Sequence, residues 1–304
     1  MEVRPADLIP AGVDSENDVG VYSIHSYPFS TCDPERLQLA TIENILNHTE
    51  LRRYAVEEIY PSARAALDEG KPWNIGEFNS VSCAGRPNVT DTFAQALWVI
   101  DSYLVYASLN ASSVHLHQGA ALVFQSDQQL NEASEGGAPG YSTYSFAYPL
   151  DSELRGPQRA LPSFVAQLMM AEAFATSGTR VAALPTPDTV DGDRFAAYGF
   201  YEDDGCVSKV ALINMNPYYA NSTEDYTMTF KNPVPRTGYV KRMTAPYVDT
   251  GDTSLTTWAG QSFQNGTAKG EIEVEELDCY GGTVRVRGSE AVLIFYDKDE
   301  VYGL

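Results

Sequence analysis

Positive charge is scarce in this sequence. Asp and Glu number 41 against 20 Lys and Arg in 304 residues, a formal net charge of −21. A field of that sign repels phosphate backbones and anionic headgroups, which argues against nucleic acid or a membrane surface as partner. Long hydrophobic runs are lacking too, none reaching the roughly 18 apolar residues of a membrane-spanning helix. There are four histidines and four cysteines, with no Cys-x-x-Cys pair and no Cys/His spacing of a zinc site. No glycine-rich phosphate loop is present. Neither a metal nor a cofactor is expected. The opening "MEVRPADLIPAGVDSENDVG" has early acids, two prolines and no apolar core segment, so it does not read as a secretory signal.

Other features do speak of secretion. Five Asn-x-Ser/Thr sequons occur, at Asn47, Asn88, Asn110, Asn221 and Asn265. Four cysteines, Cys32, Cys83, Cys206 and Cys279, allow three pairings, and an oxidising compartment would favour two disulfides. A secreted body behind a non-secretory start suggests that the natural beginning of the protein lies upstream. The 43% hydrophobic and 11% aromatic content is that of a globular protein, and the length suits two domains.

The chain changes texture near residue 178. Before it, strand-like and helix-like runs alternate. "VGVYSIHSY" (19–27), "KPWNIGEF" and "SSVHLHQG" predict strands rich in β-branched and aromatic residues. "PERLQLATIENILNH" and "SARAALDEG" predict helices, the latter ended by Gly70. A stronger helix is expected from Asp91 to about Leu109, where Phe93, Leu97, Ile100 and Leu104 make one apolar stripe. "PSFVAQLMMAEAFATSG" predicts a further helix with Pro162 in its first turn. This alternation implies parallel β/α units. A Gly/Ser/Tyr-rich loop of some forty residues, from about Ala120 to Arg159, is long enough to suggest a binding loop, with Tyr141, Tyr144 and Tyr148 as a sugar-stacking platform. After residue 178, seven short runs, from "RVAALPT" to "EAVLIFYD", alternate with turns in the manner of an antiparallel sandwich.

Three strand ends carry polar chemistry: His25 to Tyr27, Glu77, and His117 to Gln118. Catalytic groups of (β/α)8 barrels sit at strand C-termini, but such a barrel needs eight units and about 250 residues. The motifs "SIHSYPFSTC", "GEFNSVSCAG", "VTDTFAQALWVIDSYLVYAS" and "VHLHQG" resemble the last three barrel strands of glycoside hydrolase family 79, the β-glucuronidases and heparanases. "LPSFVAQLMMAEAFA" resembles the family's final barrel helix, and 179–298 its C-terminal β-sandwich. The resemblance implies residues 1–178 as a partial TIM barrel and 179–304 as the sandwich domain.

It also implies a retaining glycosidase acting on a uronic acid-bearing glycan. Glu77 would be the nucleophile and Tyr27 the tyrosine that orients it. His25, Ser80, Ser82, Ala84, Gly85, His117 and Gln118 would line the sugar site, and Cys32–Cys83 and Cys206–Cys279 would be the disulfides. Ser82 stands where several relatives have tyrosine, and Cys83-Ala84 replaces a Gly-Gly pair, which weakens glucuronate preference. The family's acid/base follows barrel strand four, usually within an Asn-Glu motif, and nothing upstream of Tyr22 could be that strand. The chain begins just before strand six, and Glu16 lies in a loop on the wrong side of a strand. An N-terminal segment completing the barrel is therefore implied, and this chain alone should turn over poorly. The alternative is a non-catalytic carbohydrate-binding or interaction protein derived from such an enzyme.

Overall fold

The computed structural model describes residues 4–119, 141–152, 155–175, 179–186 and 192–302. Strands β1 (Tyr22–Ser26), β3 (Trp73–Phe78) and β5 (Val114–Leu116) pair in parallel in the order β1-β3-β5, and the two-residue strands β2 (Phe29–Ser30) and β4 (Val81–Ser82) pair beside them. Parallel neighbours need crossover connections, and helices supply them here. Tyr22, Ile24, Trp73, Ile75 and Phe78 are buried in a core shared with these helices, whereas Ser23 and His25, between them on the pleat, are exposed.

The first crossover is more broken than its periodicity predicts. One expected helix over 34–48 is instead Pro34–Leu39 and Ile42–Ile45, followed by His48–Tyr54. Asp33, Thr41 and Asn47 each cap a new start, their side chains accepting amide hydrogens of Glu35 and Arg36, of Asn44, and of Glu50. Cap chemistry thus overrides the 3.6-residue pattern. A π-turn, Ala55–Ile59, leads into Tyr60–Asp68, and Gly70 follows at φ +72°, the left-handed stop its position predicts.

The second crossover is the Phe93–Ser108 helix, buried on nearly every side rather than along one stripe. Its first amides, Phe93 N and Ala94 N, donate to Thr250 and Val248 carbonyls. This helix lies between two sheets. Above it stands a seven-stranded antiparallel sheet in the order β13 (Thr257–Trp258), β12 (Gly238–Thr244), β16 (Glu290–Phe295), β10 (Val207–Asn214), β9 (Phe195–Tyr201) and β8 (Arg180–Ala183), with β14 (Glu275–Leu277) also on β12. Against its other face, among the described residues, lies a two-stranded layer of β11 (Met228–Lys231) and β15 (Thr283–Val286). Ala196, Tyr198, Phe200, Ile213 and Leu293 face the helical core, while Phe195, Val210, Leu212, Val292 and Ile294 face the small layer. Both faces are covered, so β9, β10 and β16 run almost wholly buried instead of alternating apolar with polar. The expected boundary at 178 lies outside the described residues.

Two polar junctions tie the sheet to the helices. Glu172 accepts from Lys241 Nζ at 2.7 Å and Trp258 Nε1 at 2.9 Å. Asp101, fully buried in the Phe93–Ser108 helix, accepts from Tyr198 Oη at 2.7 Å and lies 3.0 Å from His48 Nδ1.

The predicted Cys206–Cys279 bridge is absent. Both are exposed free thiols, Cys206 in the β9–β10 turn and Cys279 just past β14. β16 separates β10 from the β12–β14 pair, and strands are spaced about 4.8 Å apart. Of the sequons, Asn88, Asn110, Asn221 and Asn265 are exposed, and Asn47 is half-buried.

Burial pushes the His48 pKa down, but the Asp101 charge and hydrogen bond outweigh it and the net shift is upward from 6.5. A raised folded pKa contributes stability that is complete below the unfolded value of about 6.5 and is lost as pH rises through the higher folded value. The thermal stability of the wild type should therefore fall above pH 6.5 relative to His48→Asn. Parallel Tm profiles of the two proteins across that range would contradict the charged pair.

Candidate active site

The spacing of buried residues in β3 changes at its end. Trp73 and Ile75 are two apart, but the next fully buried side chain is Phe78. Gly76 and Glu77 together occupy one step of the pleat. Pairing shows the same extra residue on both sides: Ile24 faces Ile75 but His25 faces Glu77, and Val114 to Leu116 spans Ile75 to Phe78. This is a β-bulge, a device that re-aims the following side chain. Glycine suits the position because a Cβ there would lie 2.0 Å from Ser23 Oγ.

The bulge brings Glu77 to the ends of β1 and β3. Tyr27 Oη donates to Glu77 Oε1 at 2.6 Å, and His25 Nδ1 lies 3.8 Å from Glu77 Oε2. Burial, reinforced by the Glu77 carboxylate, pushes the Tyr27 phenol far up, so it remains a donor. Arg36 fixes the turn by donating to the Tyr27 carbonyl at 2.5 Å. His25, Tyr27, Arg36 and Ser82 also line a cavity of about 400 Å³.

From the other side, Tyr144 Oη lies 2.7 Å from His117 Nδ1. Burial pushes Tyr144 up to about 12, with the Glu77 charge adding to it. Both tyrosines therefore stay protonated near neutrality. Asn79 knits the cluster, its amide donating to the His117 carbonyl at 2.9 Å and the Tyr144 carbonyl at 3.4 Å, its oxygen accepting from Gln95 at 2.7 Å.

Not every expected residue faces the opening. Ser80 is fully buried, its hydroxyl donating to Gln95 Oε1 at 2.6 Å and its amide to Asn79 Oδ1 at 2.9 Å, so neither donor is left for a ligand. Gln118 is also committed, its side-chain oxygen accepting Phe146 N at 2.9 Å. Tyr141, Tyr144 and Tyr148 are 7%, 2% and 2% exposed, which rules them out as an open stacking platform. The rest of the long loop, 120–140 and 153–154, lies outside the described residues.

Cys32 and Cys83 form a disulfide that joins the loops after β1 and β3. Cys83, Ala84 and Gly85 follow one another at φ +63°, +68° and +85°, a run of left-handed backbone that costs free energy at the two non-glycine positions. The Ala84 carbonyl accepts Thr143 N at 2.9 Å. A Cβ on Gly85 would meet Thr143 Oγ1 and Thr90 Oγ1 at 2.5 Å and Tyr144 N at 2.9 Å. Close approach of this backbone is what delivers Tyr144 to His117.

Asn79 and Gln95 were not singled out in the sequence, although Gln95 had a signal, an amide inside the apolar run "FAQALWVI"; Tyr144 was expected as a stacking residue and is instead the partner of His117, 27 residues away. Among the described residues no group of three or more His, Cys, Asp or Glu is placed to hold a metal, and no helix is long and apolar enough to cross a membrane.

The site is thus a strand-end carboxylate, Glu77, held by Tyr27 at the end of a parallel sheet and backed by an antiparallel one. Residues 197–293 match the family model described as glycosyl hydrolase family 79 C-terminal beta domain. A β-glucuronidase of Aspergillus niger is 25% identical over 290 residues, covering 88% of this chain and 48% of its own length. One from Neurospora crassa is 26% identical over 211 residues, covering 68% and 34%. In fold, the chain is similar to a 4-O-α-L-rhamnosyl-β-D-glucuronidase from Fusarium oxysporum in complex with Rha-GlcA, at TM-score 0.74 and 23% identity over 96% of this chain and 57% of that one. It is also similar to a GH51 arabinofuranosidase from Xanthomonas axonopodis pv. citri, at TM-score 0.55 and 10% identity over 96% and 55%. Such neighbours are TIM-barrel glycosidases with a sheet-rich C-terminal domain. Together the findings support membership of glycoside hydrolase family 79, as the motifs implied. The chain spans about half or less of the length of the curated relatives it matches.

Gly85→Ala tests the backbone contact at the site. A methyl there meets backbone at Tyr144 and a disfavoured φ, so a loss of about 1–3 kcal/mol is expected, with faster amide exchange over 143–146. An unchanged Tm would show that the close approach is not maintained in solution.

Proposed function

We propose that this chain carries the nucleophile side of a retaining glycosidase site acting on β-linked glucuronides. The 2.6 Å Tyr27–Glu77 hydrogen bond is the observation that carries this reading. Residues 1–178 would be the closing part of a (β/α)8 barrel and 179–304 its sandwich domain. A disulfide between two strand-end loops and exposed sequons fit an oxidising, secretory route.

In this scheme Glu77 attacks the anomeric carbon and displaces the glycosidic oxygen, which departs with a proton from the acid/base, and water then hydrolyses the glycosyl ester to free sugar and the Glu77 carboxylate. Tyr27 donates to one carboxylate oxygen, holding the group so that the other oxygen is free to attack. His25 and Ser82 border the sugar, and His117, locked by Tyr144, closes the opposite side. Retention needs a second carboxyl about 5–5.5 Å from the first. Glu77 is the single acid on β1, β3 and β5, so the acid/base has to come from another element. The uronate carboxylate would lie toward Ser82, which lines the cavity beside Tyr27.

A dinitrophenyl β-glucuronide separates the two roles, because its leaving group departs without a proton. The chain should release about one equivalent of dinitrophenolate and accumulate a glucuronosyl ester on Glu77, detectable by peptide mass. Glu77→Gln should abolish it. No adduct, or an adduct on another residue, would reject Glu77 as nucleophile. Tyr27→Phe should slow adduct formation roughly 10- to 100-fold, the worth of a charge-assisted hydrogen bond; an unchanged rate would remove Tyr27 from the scheme.

A further inference from the structure

The segment leading away from Tyr144 carries a second constellation. It folds into a small hairpin, β6 (Ala147–Tyr148) against β7 (Arg159–Ala160). Tyr148 stacks on Tyr141, ring centroids 5.5 Å apart and 20° between planes. The Arg159 guanidinium lies over the Tyr148 ring, 4.8 Å from its centroid. Nη1 of Arg159 donates to the Arg155 and Pro157 carbonyls at 2.6 and 3.0 Å. A flexible side chain is thereby held by a ring and two carbonyls, an arrangement that lowers the entropy lost on binding.

The remaining edge of that guanidinium is unspent. Nε and Nη2 of Arg159 have no acceptor among the described residues. These two groups form the side-on fork that matches a carboxylate or sulfate in bidentate fashion. Arg159, Gln158, Tyr148, Phe164 and Asn265 line a cavity of about 340 Å³, within the range of small-ligand sites.

Asp91 is largely buried, its carboxyl pushed up by burial against the opposing charges of Arg155 and Arg159, and its Oδ1 has no hydrogen-bond partner. Asp151 is exposed and accepts the Gln158 amide at 2.8 Å. In a chain of net charge −21, an anionic glycan needs such a locally positive foothold. The hairpin is also continuous with the candidate active site. Tyr144 bonds His117, the Ser145 hydroxyl donates to the Gln118 carbonyl, and Leu161 N donates to Phe146 O at 2.8 Å.

We infer that this cavity is a glycan subsite in which Nε and Nη2 of Arg159 grip the carboxylate or sulfate of a sugar residue remote from the scissile bond. It deepens the glycosidase reading by making the substrate an acidic oligosaccharide rather than a simple glucuronide, and it rests on that reading for its role in hydrolysis.

Titration calorimetry of the full chain, produced without N-glycans, tests it with three probes: a uronate-containing tetrasaccharide, its carboxyl-reduced neutral form, and a sulfated form of that neutral tetrasaccharide. The uronate or sulfated probe should bind, and the neutral form should bind at least tenfold more weakly. Arg159→Gln should cost roughly 10- to 100-fold for the charged probe. Arg159→Lys, which keeps the stacking and charge but loses the fork, should recover only part. Arg159-dependent binding of the charged probe by a wild-type chain that forms no Glu77 adduct would reject the nucleophile while sparing the subsite. Equal affinity for charged and neutral probes would overturn the inference. So would an Arg159→Gln protein of unchanged Tm that binds like the wild type.

Discussion

One inserted residue governs the candidate site. Gly76 bulges β3 against both of its neighbours, and without that step Glu77 would alternate onto a different face of the strand. The bulge, the short side chain that permits it and the Tyr27 hydroxyl that receives Glu77 are one device. The rest of the parallel sheet is apolar behind it. Trp73, Ile75 and Phe78 anchor β3 in the core, so the strand end is rigid where the chemistry needs a fixed carboxylate.

Support around that device comes from two layers of buried polar contacts. Asn79 and Gln95 bind the ends of β3 and β5 to the Phe93–Ser108 helix. That same helix uses Asp101 to engage Tyr198 of the antiparallel sheet. A single buried helix thus links the carboxylate's strand to the antiparallel sheet, and the two share one hydrophobic core. Satisfied buried networks of this kind rigidify a fold, and half-satisfied ones would weaken it.

Much of this was legible in the residues. "WNIGEF" announced a strand with an acid at its tip, and the alternation before residue 178 announced parallel β/α units. Cys32 and Cys83 were paired from the family resemblance, and the bond is present. Less legible features depend on what packs against them. The double-sided burial of β9, β10 and β16 follows from a helix layer that local periodicity cannot reveal, and the Cys206–Cys279 pairing failed because strand order, not cysteine arithmetic, decides which turns meet. Ser80 and Gln118 look like site residues by position, yet their polar atoms serve the scaffold. Tyr144 came into the site through a close backbone approach that only Gly85 tolerates.

The account stands on where the Glu77 carboxylate points when a sugar is present. A crystal structure with bound glucuronate measures that directly. It should show the anomeric carbon beside one Glu77 oxygen, with the other within about 3 Å of the Tyr27 hydroxyl and β3 still bulged at Gly76. A regular β3 with Glu77 turned to solvent, or a sugar seated away from Glu77 and Tyr27, would contradict it.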